Sequence, residues 1–128
     1  MNKKWFVVSL VVSYLLEDSM KQNIFPMEEV FILVYTDDKS VIKEANKIGK
    51  LYEDNSLLIN NKKSFSKYEG VCKVVEILDE CFNLDISCNG IELSYTYVEF
   101  NKYEDILNYV NDKKGASGVL YPNMGNNL

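Results

Sequence analysis

Histidine and arginine are both absent from this 128-residue chain, and all fourteen of its basic residues are lysines. Histidine is the side chain that titrates near neutral pH and the commonest imidazole ligand of metals; arginine supplies the rigid fork that grips phosphate and carboxylate. Their absence disfavours most acid–base and metal-centred enzymes and most readers of nucleic acid. Cysteine is scarce too: Cys72, Cys81 and Cys88 are an odd number with no C-x-x-C pair, which argues against a disulfide framework or a zinc knuckle. No metal and no cofactor is expected. Neither an EF-hand spacing nor a phosphate-cradling glycine loop is found.

What is present is acid, apolar bulk and tyrosine. The formal net charge is -5, which repels nucleic acid and anionic lipid and makes a basic partner the natural complement. At 47% hydrophobic and 12% aromatic residues the chain has material for one packed core. We expect a single α+β domain over residues 1–115 and a partly ordered tail over 116–128, where Gly, Asn, Ser and Pro dominate.

The run 5–16 follows two lysines and imitates a signal peptide, yet it ends in Tyr14-Leu15-Leu16-Glu17-Asp18 without the small residues a peptidase needs. It is also too short for a membrane-spanning helix, so a cytoplasmic protein with no membrane partner is expected. Its even positions Phe6, Val8, Leu10, Val12, Tyr14 and Leu16 are all apolar, the period of a β-strand. The odd face, with Trp5, Val7 and Val11, is apolar enough to suggest a homodimer seam through this strand.

Residues 30–35 form a second apolar run, expected as a central strand. A helix follows Asp37-Asp38, burying Val41, Ala45, Ile48 and Tyr52, with Gly49 either lying close on the sheet or capping the helix. Residues 53–63 read as a loop tethered by Leu57-Leu58-Ile59. A strand over 64–78 carries Gly70 as a bulge or bend, with Val71, Val75 and Ile77 on one face and Cys72, Val74 and Leu78 on the other. Asn89-Gly90 turns the chain into a strand over 91–100, and a helix from Asn101 buries Tyr103, Ile106, Leu107 and Val110. The order β-β-α-β-β-α predicts an antiparallel or mixed sheet of four to five strands with both helices on one face.

Three segments together carry a resemblance. The opening 4–10, the strand-to-helix stretch 30–36 followed by 40–50 with Ala45-Asn46-Lys47-Ile48-Gly49, and the later 68–77 with Tyr68-Glu69-Gly70-Val71 resemble a family of small bacterial domains of unknown function. In it a W-[FY]-x-[AV] start, an A-x-x-[IL]-G helix and an aromatic-x-G-[VI] strand recur in this order. The resemblance implies the β-β-α-β-β layout and no activity.

Acidic pairs recur at element boundaries. Glu17, Asp18, Glu28, Glu29, Asp79, Glu80 and Asp85 are candidate contacts for a partner, with Tyr95 and Tyr97 beside them because tyrosine joins large contact area to a polar tip. Caps and solvated loops are the stronger explanation of the acids, and half-buried core the stronger one of the tyrosines. Cysteine catalysis at Cys72 lacks a base, since adjacent Lys73 points to the other side of a strand. The expected function is a non-catalytic protein-binding module, most concretely an immunity protein neutralising a cognate toxin, whose basic domain it would complement. The alternative is a small-ligand-binding or sequestering protein with a pocket between sheet and helix. A carboxylate- or Cys-dependent enzyme using Asp79, Glu80 or Cys72 ranks third.

Overall fold

A strand that is apolar on both faces needs neighbours on both edges and cover above and below. The computed structural model, which describes residues 2–78, 83–113 and 117–120, gives the first run that position. Strand β1 (Lys4–Leu16) is flanked by antiparallel β2 (Phe25–Thr36) and antiparallel β4 (Lys62–Ile77). Strand β3 (Asp54–Ile59) pairs with β4, and β5 (Glu92–Phe100) with the far side of β2, giving the order β3-β4-β1-β2-β5. A short β6 (Ser117–Leu120) runs parallel to the end of β4, inside the stretch expected as tail. The fold is α+β. Among the described residues no helix is long and apolar enough to cross a membrane.

The two helices lie on opposite faces, not on one as the element order predicts. Helix α1 (Val41–Lys50) sets Val41 and Ala45 on Phe6, Val8, Leu10, Val30, Ile32 and Val34. Helix α2 (Tyr103–Lys113) sets Ile106 and Val110 on Val11, Met27 and Cys72, which belong to the other face. Beside α2 the rest of that face, Trp5, Val7, Leu33 and Ile77, is covered by Leu84 and Cys88. Two apolar faces require two covers, which is why the helices divide between them.

The same packing overturns the homodimer seam expected at β1. Trp5, Val7 and Val11 are buried within the chain, and both edges of β1 are hydrogen-bonded to neighbours, so no surface is left there for a second copy.

The loop expected over 53–63 is a hairpin. Asn60 and Asn61 both take positive φ, 52° and 65°, the backbone of a two-residue turn whose twist suits flanking strands. Asparagine tolerates that conformation better than most residues. Strand β3 escapes the pattern because it is a mostly exposed edge strand with little alternation to read.

Strand β4 departs from its expected faces because its register against β1 slips twice, between Ser9 and Leu10 and between Val11 and Val12. The extra residues, Cys72 and Glu69, reset the period. Val71 and Val74 therefore pack toward α1, while Cys72 lies under α2 and Val75 with Ile77 under Leu84. Gly70, beside one slip, has φ +138°, a conformation side chains resist.

Gly49 is explained by a close approach. A Cβ there would lie 2.6 Å from Tyr68 Cδ1 and nearer still to two other ring atoms, so the helix rests its backbone on the tyrosine. Tyr68 donates its hydroxyl hydrogen to Asn46 Oδ1 at 2.6 Å. Phe6, Ala45 and Tyr68, from three separate segments, meet in one packing unit.

Ser9 is 1% exposed and its hydroxyl has no hydrogen-bond partner among the described residues. An unsatisfied buried hydroxyl costs free energy that an alanine methyl does not. Ser9→Ala is expected to raise the unfolding free energy by about 0.5–1 kcal/mol in urea titrations; a loss of stability instead would show that the hydroxyl is satisfied.

Candidate functional site

The pairing of β2 with β5 brings side chains together that are far apart in sequence. Glu28 stands opposite Tyr97, Val30 opposite Tyr95 and Pro26 opposite Glu99. These positions share the sheet face that α1 occupies, because their partners have the parity of the α1-covered residues Val30 and Ile32. Helix α1 covers only part of that face. Tyr52, just beyond its end, reaches Glu92 with a 2.9 Å hydrogen bond, and past this point Tyr95 and Tyr97 stand 59% and 52% exposed.

Each carboxylate of this patch accepts a hydrogen bond from a phenol. Tyr14 donates to Glu28, Tyr52 to Glu92, and Tyr97 to Glu99 Oε2 at 2.8 Å. Partial burial, reinforced by the Glu28 bond, pushes the Tyr14 hydroxyl far above its ordinary range. Burial and Glu92 push Tyr52 up to about 12, and burial with Glu99 raises Tyr97. The phenols therefore stay protonated at neutral pH and act as hydrogen-bond donors. Among the described residues no lysine forms an ion pair with Glu28, Glu92 or Glu99; the ion pairs join Lys4, Lys21, Lys47 and Lys50 to other acids. What remains is an open, acidic surface with tyrosine rings, suited to a cation.

The other predicted contacts are scattered. Glu29 faces the opposite way, 6% exposed beneath α2, where Tyr109 donates to it. Glu69 on β4, on the other side of β1, likewise meets α2, accepting from Ser13 Oγ at 2.6 Å and Tyr103 OH at 2.7 Å. These bonds tether α2 to the sheet. Glu17 and Asp18 lie just beyond β1, lining a groove of about 530 Å³ in which Lys21, Lys62 and Lys63 offset their charge. Asp85 caps a short 3-10 turn, and the Ser87 backbone bond at 2.9 Å holds its carboxyl below the usual range. Asp85 sits near Leu84, which packs on Trp5, so it belongs to the end of the sheet away from Glu28. Asp79 and Glu80 lie outside the described residues. Cys72 is wholly buried under α2, out of reach of a substrate.

Of the predicted contacts, then, Glu28, Tyr95 and Tyr97 come together. Tyr14, Tyr52, Glu92 and Glu99 complete the patch unannounced by the sequence reading. The parity of Tyr95, Tyr97 and Glu99 was a usable signal; the register joining them to Glu28 was not.

A second groove, also about 530 Å³, runs along Lys3, Trp5, Tyr35, Glu76, Leu84 and Ile86, with Trp5 and Tyr35 rings 4.8 Å apart. Neither groove lies between the sheet and a helix, where a ligand pocket was expected; the Glu29 and Glu69 bonds occupy the α2 side of that space.

This geometry defines a small α+β domain in which one sheet face is only partly covered and the uncovered part is acidic and tyrosine-rich. No protein-family model, curated protein or solved structure matches the chain.

Proposed function

We propose that the protein is a non-catalytic protein-binding module of the cytoplasm, most concretely an immunity protein that neutralises a basic toxin domain. The observation that carries this reading is the exposed patch of Tyr95 and Tyr97 framed by Glu28, Glu92 and Glu99, carboxylates that no lysine of the described chain neutralises. Tyrosines of that exposure supply contact area at low entropic cost, and uncompensated carboxylates steer a basic partner toward them. Membership in the family of small bacterial domains that the W-[FY]-x-[AV], A-x-x-[IL]-G and aromatic-x-G-[VI] segments resemble is part of the same proposal.

The test is to co-express the chain with the product of each neighbouring gene, and to measure rescue of growth and recovery of a complex. Rescue and a complex are expected with one of them. Tyr95→Ala with Tyr97→Ala should weaken that complex by at least about thirtyfold, the effect of losing central aromatic anchors. A complex that forms unchanged without the two rings would place the interface elsewhere, and no rescue with any neighbour would remove the immunity reading.

A further inference from the structure

Resting on that reading, we propose that the partner attaches by strand addition. An extended, lysine- or arginine-bearing segment of a basic protein pairs with the outer edge of β5, its cationic side chains reaching the tyrosine face among Glu28, Glu92 and Glu99.

The first support is the edge itself. Among the described residues β5 pairs only with β2, so one whole side of a nine-residue strand presents unpaired backbone donors and acceptors. Natural edges are blunted by charged side chains, lysine above all, and by proline, bulges, shortness or a covering element; the charges of β5 are Glu92 and Glu99, which disfavour an acidic strand and admit a basic one. The sequence Glu92–Phe100 contains neither lysine nor proline. The opposite edge is shorter and partly covered: β3 has six residues, and the far end of β4 is covered by β6, whereas β5 runs nine residues with one register shift near its start. An open edge of this length is a site for main-chain recognition, in which backbone bonds give affinity and alternate side chains give specificity.

The second support is the side-chain period on the same strand. Tyr95, Tyr97 and Glu99 recur at every second residue on one face, and Glu28 stands directly behind Tyr97 on β2. A strand laid alongside β5 projects its own alternate side chains onto this face, about 5 Å from those of β5. Lysine or arginine at those positions meets phenol rings and carboxylates together.

Charge selects the occupant. A second copy of this chain would bring its own Glu28, Glu92 and Glu99 to the same seam, doubling uncompensated acid on a protein already at net charge -5. A basic extended segment relieves that charge.

The probe is a synthetic octapeptide of alternating lysine and threonine, with two controls: the glutamate–threonine analogue, and the lysine peptide N-methylated at alternate backbone amides, which keeps charge but removes donors. Binding to the full isotope-labelled chain is followed by amide shifts and amide hydrogen exchange. The lysine peptide should shift and protect the amides of residues 92–100, the N-methylated form should bind at least about tenfold more weakly, and the glutamate peptide should not bind. Glu28→Gln with Glu99→Gln should weaken the lysine peptide several-fold and flatten its salt dependence. Equal binding of the methylated and unmethylated peptides would overturn strand addition in favour of charge attraction alone, and shifts away from β5 would overturn the site. A chain that dimerises in sedimentation and loses dimerisation on Tyr95→Lys would overturn the choice of occupant. Failure of the lysine peptide removes strand addition whether or not a neighbouring gene product is captured, whereas failure of that capture bears on the immunity reading alone.

Discussion

Leu10→Ala is expected to lower the unfolding free energy by about 3–4 kcal/mol, a large part of the 5–15 kcal/mol that holds a domain of this size together. Leu10 is wholly buried at the middle of the central strand, opposite Val30 on β2 and Val71 on β4. Above it α1 contributes Val41 and Ala45 to the same cluster. Truncation removes the transfer free energy of the side chain and leaves a cavity. Strands hydrogen-bonded on both edges cannot close in to fill it. Urea unfolding should show a lower midpoint with an unchanged slope. A loss under about 1 kcal/mol would mean that the core is not centred on this residue.

Alkaline pH is expected to destabilise the fold through Tyr68. This ring is 8% exposed between β4 and the backbone of Gly49, and burial pushes its hydroxyl up to about 12 from an ordinary value of 10. A group whose folded pKa lies above its unfolded one binds its proton more tightly in the fold. Its contribution is therefore complete below pH 10 and is lost as pH climbs toward 12. Two units correspond to about 3 kcal/mol, removed across that window. Tyr14 and Tyr52 are raised as well and add to the decline in the same direction, Tyr52 by a smaller amount because it is less enclosed. Unfolding measured from pH 9 to 12 should show the decline. Tyr68→Phe, which loses only the bond to Asn46 and about 1 kcal/mol at neutral pH, should make the alkaline decline markedly shallower. Parallel pH curves for the two proteins would show that Tyr68 titrates as it does in the unfolded chain.

The parts legible in the sequence are those with a strong period or a strong turn. The even stripe of β1, the doubly apolar β2, the burial of Val41 and Ala45, and the Asn89-Gly90 turn all come through, since each follows from side-chain alternation or backbone freedom within a few residues. Strand β3 does not, because an exposed edge strand carries little hydrophobic signal. The faces of β4 are misread beyond Gly70, because an inserted residue inverts the parity of everything that follows, and only the partner strand reveals the insertion.

The candidate site divides the same way. Tyr95 and Tyr97 are visible as an alternating pair, yet whether they face core or solvent depends on where α1 ends over the sheet. Adjacent glutamates have opposite fates. Glu28 joins the open patch and Glu29 is buried against Tyr109, because neighbours on a strand point to opposite faces and the two faces are covered by different helices.

By itself the sequence determined a small acidic α+β domain, without the histidine and arginine on which most catalytic and nucleic-acid sites depend, and with a doubly apolar strand that had to lie inside. Tertiary structure alone decided that the helices cover opposite faces, that β1 is sealed against a second copy, and that the tyrosines of β5 are exposed beside an edge that no other described strand pairs with. Composition and periodicity act over a few residues, whereas register and coverage are set by contacts between segments distant in the chain.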